Sequence, residues 1–223
     1  MGVKNSMIEL VTFDLDGTII DDEWAHEKAK TSIARSLGAE GDLSLSYFVG
    51  RSNRLFWKNV LDTYHIEGQN IEELVEEQFK RVAEYIEEAN QPESPGLTEA
   101  LKFLKSRGCK IAVASGSDEY FVMSLLGHLH IEQYFDYKIT KNHVTCVKPD
   151  PDIYLAALKM ASSKASHAMG IEDSTSGCMS LKAAGMGCTV GFSNYGTNPQ
   201  DLSIADYIIP DHTGIIPIFE SRQ

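Results

Sequence analysis

The chain has 223 residues, of which 43% are hydrophobic and 23% are charged. This composition is ordinary for a globular protein, and it excludes a disordered chain, a collagen-like repeat and a disulfide-stapled miniprotein. The formal net charge is −12, so phosphate backbones repel the protein and we expect no nucleic-acid partner. No apolar run reaches the roughly 20 residues that cross a bilayer, so we expect no membrane partner.

The four cysteines lack the CxxC spacing of a redox or zinc motif. They are Cys109, Cys146, Cys178 and Cys188. No apolar signal segment precedes the first predicted strand. Reduced thiols without such a segment predict a cytoplasmic protein.

Short apolar runs alternate with stretches of helical spacing along most of the chain. The runs are 8–13, 110–114, 137–140, 167–171, 188–192 and 207–209. Strands that alternate with helices pair in parallel and carry helices on both faces. We therefore predict an α/β fold built on a doubly wound parallel sheet.

Residues 20–94 interrupt this alternation, because they contain no credible strand and read as several helices. Residues 71–88 place apolar side chains at helical intervals between glutamates, as in an amphipathic helix with a solvated face. Residues 90–96 are polar and contain two prolines, which is typical of a hinge. We predict a core of residues 1–19 and 95–223, with a helical domain inserted at 20–94.

Two carboxylates, Asp14 and Asp16, follow the first predicted strand in the run DLDGT. In an open parallel sheet, ligands bind at the carboxyl ends of the strands. If the chain stayed extended, both side chains would project to the same side. Like charges this close repel, so a cation lies between them or one takes up a proton. A nucleophile beside a proton-exchanging carboxyl would use this tension, and an Asp-rich turn is the alternative.

Three later segments also place polar side chains near predicted strand ends. They contribute Ser115 with Gly116, then Lys148, and finally Glu172 with Asp173. Each has a simple alternative, namely a helix N-cap, a solvated lysine or a capping aspartate. Because all of them fall at one predicted edge of the sheet, a shared site is favoured. The hard oxygen atoms of the carboxylates favour Mg²⁺ as the cofactor.

The ordered runs DLDGT, VASGS, KPDP and IEDSTSG resemble the four motifs of the haloacid dehalogenase (HAD) superfamily. This resemblance extends over nearly the whole chain. The helical insert is similar to the small α-helical cap of the branch that contains β-phosphoglucomutase and many sugar-phosphate phosphatases. The resemblance implies a Rossmann-like HAD core with a cap domain, and phosphoric monoester hydrolase activity.

The resemblance also implies catalytic roles for the motif residues. Asp14 would attack phosphorus and form an aspartyl phosphate, and Asp16 would protonate the leaving oxygen and then activate water. Ser115 and Lys148 would hold the transferring phosphoryl group, next to Gly116 in the binding site. Phosphoryl transfer needs mainly positioning and charge neutralisation, so these residue types suit it.

The implied Mg²⁺ ligands are Asp14, the main-chain carbonyl of Asp16, and Asp173. Glu172 would be either a further ligand or a support for the ligands. Dehalogenases of the superfamily lack the second aspartate of the first motif and need no metal. The presence of Asp16 therefore disfavours haloacid substrates.

Cap residues would contact the substrate. His26 resembles a cap histidine that couples cap closure to proton transfer in related mutases, and a surface histidine is the alternative. Arg51 and Arg54 lie in a stretch similar to the substrate-reading loop of β-phosphoglucomutase. There Asn53 stands at the arginine position, and a shift of one residue turns a helical side chain by about 100°. Arg54 is therefore not expected to reach a second phosphate.

Two acids near the second motif, Asp118 and Glu119, disfavour a bisphosphate intermediate, which a mutase must hold. The sequence thus predicts a Mg²⁺-dependent phosphatase acting on a small phosphorylated metabolite, with a sugar phosphate favoured. A β-phosphoglucomutase-like phosphomutase is the enzymatic alternative. A phospho-accepting binding module is the non-enzymatic alternative, against which the predicted cap argues.

Overall fold

A computed structural model describes residues 7–48, 52–193 and 200–223. Its sheet contains the strands β1 (Leu10–Phe13), β2 (Lys110–Ala114), β3 (Tyr137–Ile139), β4 (Ala168–Glu172), β5 (Cys188–Phe192) and β6 (Tyr207–Ile209). Their order is β3-β2-β1-β4-β5-β6, and every neighbouring pair is parallel. The predicted doubly wound parallel sheet is confirmed.

The α-helices cover both faces of the sheet and form the insert. They are α1 (Glu23–Ser36), α2 (Leu45–Phe48), α3 (Asn53–Thr63), α4 (Ile71–Ala89), α5 (Leu97–Ser106), α6 (Glu119–His128), α7 (Asp152–Ala161), α8 (Thr175–Ala183) and α9 (Ile215–Glu220). Over the described ranges, none of these helices combines the length and apolarity that a membrane span requires. All four cysteines are free thiols, and three of them are buried.

The central strand β1 is buried on both faces, which explains why three of its four residues are apolar. Its register aligns Phe13 with Val113 of β2 and with Ile171 of β4. The carboxyl ends of three strands that are distant in sequence therefore lie side by side. This alignment places their following residues at one edge of the sheet.

The chain divides into two compact units, Met1–Asp21 with Pro92–Gln223, and Asp22–Gln91. These boundaries lie within three residues of the predicted ones. The second unit contains only helices over its described residues. Its longest helix, α4, is amphipathic as predicted: its apolar face is buried. The Asn70 side chain caps its first turn by accepting from the Glu72 amide, and Asn90 ends it with a φ of 47°.

A fully buried histidine, His212, lies in a 3-10 turn (His212–Gly214) of the first unit. Its ring stacks on Phe192 with centroids 4.3 Å apart and an interplanar angle of 7°. Desolvation lowers the pKa of His212 to about 4, although the Thr18 carbonyl and the charges of Asp211 and Glu93 act in the opposite direction. His212 is therefore neutral in the folded protein at neutral pH.

We predict that His212 destabilises the fold as the pH falls below its unfolded pKa of about 6.5. The unfolded chain binds a proton there, while the folded chain does not until about pH 4. The contribution of neutral His212 to the free energy of unfolding is complete above this window. It decreases toward the acid end, by about 2 kcal/mol between pH 7 and pH 5.

Urea unfolding of the wild type and His212→Gln at both pH values measures this contribution. The stability of the wild type relative to the variant should decrease by that amount on acidification. A difference that does not change with pH would contradict a neutral, buried His212.

Candidate active site

Lys148 is held between two carboxylates at the edge of the sheet. Its Nζ lies 2.5 Å from Asp14 Oδ1 and 2.6 Å from Glu172 Oε1. It also donates to the Ala114 carbonyl at 3.1 Å. Asp14 directly follows β1, and its amide donates to the Ile171 carbonyl of β4. One buried cation thus pairs with two carboxylates at the ends of neighbouring strands.

Glu172 is the last residue of β4 and is fully buried. Its Oε1 accepts a hydrogen bond from the Tyr154 hydroxyl in addition to the Lys148 contact. Its Oε2 accepts from the Ser174 hydroxyl at 3.2 Å. A Cβ at Gly177 would lie 1.9 Å from Glu172 Cδ. Both oxygens of Glu172 are therefore engaged by protein donors, and residue 177 must lack a side chain.

The carboxylate of Asp16 is held by two serine hydroxyls after β2. Ser117 Oγ donates to Asp16 Oδ2 at 3.0 Å, and Ser115 Oγ does so at 3.2 Å. The Ser117 amide in turn donates to Ser115 Oγ. A Cβ at Gly116 would meet no described atom within 4 Å. Ser115 thus lies against Asp16, and Gly116 borders open space.

Ser117 was not among the predicted site residues. Its signal was the second hydroxyl of the run SGS, which alternates with Ser115 across Gly116. That spacing could have indicated two hydroxyls directed at one acceptor. It did not reveal that the acceptor would be Asp16, because this pair is 101 residues apart in the chain.

The loop after β1 does not stay extended as the alternation argument assumed. The Leu15 carbonyl accepts hydrogen bonds from the amides of Thr18, Ile19 and Ile20. Gly17 has a φ of 74°, a conformation that favours glycine. Asp14 and Asp16 therefore reach the site through a tight turn, and each has its own partners.

The acidic cluster fits a divalent cation. Asp14, Glu172 and Asp173 each offer a carboxylate oxygen, and these atoms all lie within 4.8 Å of one another. Burial, and then the charge of Glu172, raise the pKa of Asp14 well above its ordinary value, while Lys148 acts to lower it. Hard oxygen donors with excess negative charge are typical of a Mg²⁺ site.

Lys148 remains charged in this cluster. Burial acts to lower its pKa, but the adjacent charges of Asp14 and Glu172 outweigh burial and raise that pKa. The site therefore keeps one permanent positive charge at neutral pH. A cation fixed in this way can hold a phosphoryl group without a proton being gained or lost.

The simple capping alternatives for the motif residues do not describe this structure. Helix α6 is capped by Asp118, which accepts from the Phe121 amide at 2.9 Å. Helix α8 is capped by Ser174, which accepts from the Gly177 amide at 3.0 Å. Neither Ser115 nor Asp173 caps a helix.

Lys141 reduces the repulsion that we expected Asp118 to exert on the second phosphate of a mutase intermediate. Its Nζ lies 3.6 Å from Asp118 Oδ2. The negative charge of Asp118 is therefore partly offset by a lysine, and the expected repulsion of a second phosphate is smaller than the sequence suggested.

His26 is buried inside the helical unit, so it is not a surface histidine. The Trp57 indole donates to Gln78 Oε1, and Gln78 Nε2 lies 2.9 Å from His26 Nδ1. Because an indole N–H can only donate, Oε1 of Gln78 must face Trp57. Its Nε2 then faces His26 and donates to Nδ1. The proton of neutral His26 therefore lies on Nε2, which is 3.6 Å from Asp22 Oδ2. The sequence did not single out Trp57 and Gln78.

Of the predicted cap arginines, Arg54 lies within the described residues. Arg54 forms an exposed ion pair with Glu72, with Arg54 Nη2 2.7 Å from Glu72 Oε2. Asn53 is the first residue of α3. Arg51 lies outside the described residues. Arg54 therefore has a carboxylate partner within its own unit.

The family profile for haloacid dehalogenase-like hydrolases matches residues 8–185. The chain belongs to this family. The HAD-like hydrolase is 31% identical over 182 residues to a phosphorylated carbohydrates phosphatase of Thermotoga maritima, which covers 80% of this chain and 82% of the relative. It is also 31% identical over 216 residues to a phosphoglycolate phosphatase of Pseudomonas fluorescens, covering 93% and 78%.

A solved structure agrees with this membership. The HAD-like hydrolase superposes on a β-phosphoglucomutase of Clostridium difficile with a TM-score of 0.80, at 26% sequence identity and 97% coverage of both chains. The resemblance that the four motifs suggested is therefore confirmed at the level of family and fold.

We predict that Gly177→Ala destabilises the protein by about 1–3 kcal/mol, because the added methyl group would overlap the buried Glu172 carboxyl. Gly127→Ala is the matched control, since Gly127 is also a helical glycine but a Cβ there would meet no described atom within 4 Å. The control should be stabilised by up to about 1 kcal/mol. Urea unfolding measures both, and equal effects would contradict the close contact at Gly177.

Proposed function

We propose that this protein is a Mg²⁺-dependent phosphatase that hydrolyses a small phosphorylated metabolite, with a sugar phosphate favoured. The convergence of Asp14, Lys148 and the Glu172–Asp173 pair at one sheet edge carries the proposal. The names of the Thermotoga and Pseudomonas relatives support a phosphate ester as the substrate.

Asp14 is the proposed nucleophile. Lys148 binds its Oδ1, which orients the carboxylate at the end of β1. A carboxylate oxygen attacks phosphorus, and the bond from phosphorus to the leaving alcohol breaks as the aspartyl phosphate forms. The ammonium group of Lys148 also neutralises charge on the transferring phosphoryl oxygens.

Asp16 is the proposed acid and base. In its protonated form it gives its proton to the leaving alkoxide. It then takes a proton from the water that attacks the aspartyl phosphate, which releases inorganic phosphate and restores Asp14. The hydroxyls of Ser115 and Ser117 orient the Asp16 carboxylate. To donate to the phosphoryl group, the Ser115 hydroxyl must give up its hydrogen bond to Asp16.

The proposed holders of Mg²⁺ are Asp14, the main-chain carbonyl of Asp16, and Asp173. When bound, Mg²⁺ supplies charge neutralisation to the phosphoryl oxygens. We assign Glu172 a supporting role, because Lys148, Tyr154 and Ser174 already occupy its two oxygens. Glu172 then keeps Lys148 in place and adds negative charge beside the cation.

A phosphomutase is the second candidate, and the similarity to the Clostridium β-phosphoglucomutase favours it. The offset of the Asp118 charge by Lys141 also makes a second phosphate more acceptable. The ion pair of Arg54 with Glu72 argues against it, because that arginine already has a carboxylate partner.

Replacement of the nucleophile should abolish turnover. We expect Asp14→Asn to lower p-nitrophenyl phosphate hydrolysis by at least ~10³-fold, since an amide cannot form the aspartyl phosphate. Asp62→Asn, on an exposed side chain paired with Lys58, is the control and should keep wild-type activity. Undiminished turnover in Asp14→Asn would refute the nucleophile assignment.

Metal removal and product analysis together test the reaction type. Dialysis against EDTA should abolish phosphate release, and added Mg²⁺ should restore it. The restored enzyme should release inorganic phosphate from a panel that contains sugar phosphates and phosphoglycolate. Conversion of β-glucose 1-phosphate to the 6-phosphate with a bisphosphate primer, with little free phosphate, would instead establish the mutase.

A further inference from the structure

His212 contacts the loop that carries Asp16, although His212 and this loop lie near opposite ends of the chain. Its Nε2 lies 2.9 Å from the Thr18 carbonyl oxygen. The ring is fully buried and stacks on Phe192, and Phe13 of β1 packs against it with centroids 5.8 Å apart. Aromatic neighbours on β1 and β5 thus fix the direction in which Nε2 points.

The protonation of the ring follows from its partner. A carbonyl oxygen can only accept, so Nε2 carries the proton and donates it to Thr18. In the neutral ring, Nδ1 then has no proton, and no hydrogen-bond partner for it exists among the described residues. The burial that keeps the ring neutral therefore allows one tautomer, and that tautomer donates to the loop.

The backbone of the same turn binds the chain just after it has returned to the first unit. The His212 amide donates to the Pro95 carbonyl at 2.9 Å. Next to Pro95, Gly96 has a φ of 76°, and a Cβ there would lie 2.3 Å from Asp211 Oδ1. The turn is thus packed closely on the returning segment, while the His212 side chain holds the outgoing one.

The Thr18 carbonyl receives no backbone hydrogen bond from the described residues of the turn around Asp16. The Thr18 amide donates to the Leu15 carbonyl, and the Gly17 amide donates to the Ile20 carbonyl, so the turn around Asp16 is closed by its own backbone. Within the described ranges, no backbone amide donates to the Thr18 carbonyl. His212 supplies that donor from outside the turn, and so it links the turn to β1 and β5, whose Phe13 and Phe192 contact its ring.

We propose that His212 is a positioning residue for phosphoryl transfer: its Nε2–H holds the Thr18 carbonyl and thereby keeps the turn that carries Asp16 in its catalytic position. The proposal rests on the proposed function, in which Asp16 transfers the protons. Asp16 contributes both a side chain and a main-chain carbonyl to that site, so a displaced turn would impair both.

Three substitutions separate the hydrogen bond from the packing of the ring. His212→Gln places an amide N–H near the position of Nε2 and can still donate to Thr18. His212→Asn places its amide near Nδ1 and cannot reach that carbonyl. His212→Phe keeps an aromatic ring against Phe192 but has no donor. A comparison of the Gln and Asn variants therefore isolates one hydrogen bond.

We expect His212→Asn and His212→Phe to lower kcat for p-nitrophenyl phosphate by about 10- to 100-fold, because a small displacement of a catalytic group is costly. KM should stay within about twofold of the wild type. His212→Gln should recover kcat to within about threefold. Phe219→Leu, a buried substitution in α9, controls for lost stability and should keep kcat once folded.

A second measurement does not depend on catalysis. Hydrogen–deuterium exchange of the peptide that covers residues 14–21 should be faster in the Asn and Phe variants than in the wild type. It should be unchanged in the Gln variant and in Phe219→Leu. An inactive wild type would refute the proposed function, while this exchange pattern would still test the contact of His212 with the turn.

Two results would overturn the proposal. The first is a Gln variant as impaired as the Asn variant, which would show that the donor at Nε2 has no role. The second is faster exchange of residues 14–21 in Phe219→Leu as well as in the His212 variants, in proportion to the loss of overall stability in each.

Discussion

The ion pair of one buried lysine with two buried carboxylates organises the site. Removing three charged groups from water costs several kcal/mol each unless every one is paired and hydrogen-bonded. Lys148 meets this condition through Asp14, Glu172 and the Ala114 carbonyl. The surrounding residues also help to satisfy the buried charges. The Tyr154 hydroxyl donates a further hydrogen bond to Glu172, and the absence of a side chain at Gly177 leaves space for the Glu172 carboxylate. The charges to which we assign phosphoryl transfer are therefore also the charges whose burial the fold must stabilise.

Parallel strand order brings these groups together. Lys148 and Asp14 are 134 residues apart in sequence. Lys148 also contacts the Ala114 carbonyl at the end of β2 and Glu172 at the end of β4, and both of these strands are aligned with β1. Strands β1, β2 and β4 are short, and a polar residue stands at or directly after the carboxyl end of each. A one-residue change in this register would reverse the side of every side chain and separate the cluster. The convergence is thus a property of the sheet as a whole.

Most of the fold and much of the candidate site could be predicted from the sequence, because they depend on patterns that are local. Apolar runs separated by helical spacing indicate a parallel sheet, and the four motifs in order indicate the family. The residues that were missed act at long range. Ser117, Gln78 and His212 are ordinary polar residues in their segments, and each becomes informative only beside its distant acceptor. The assumption of an extended DLDGT run failed for a local reason, since a left-handed Gly17 closes a tight turn there.

The amino-acid order alone determined which chemical groups are available and at which strand ends they stand, because residue type and periodicity are written in short windows. Only the tertiary structure decided which of these groups pair. It assigned both Glu172 oxygens to protein donors, gave Asp16 two serine hydroxyls and directed His212 at Thr18. The physical reason is that a hydrogen bond or ion pair requires atoms within about 3 Å. Such distances between remote segments are set by the packing of whole strands and helices.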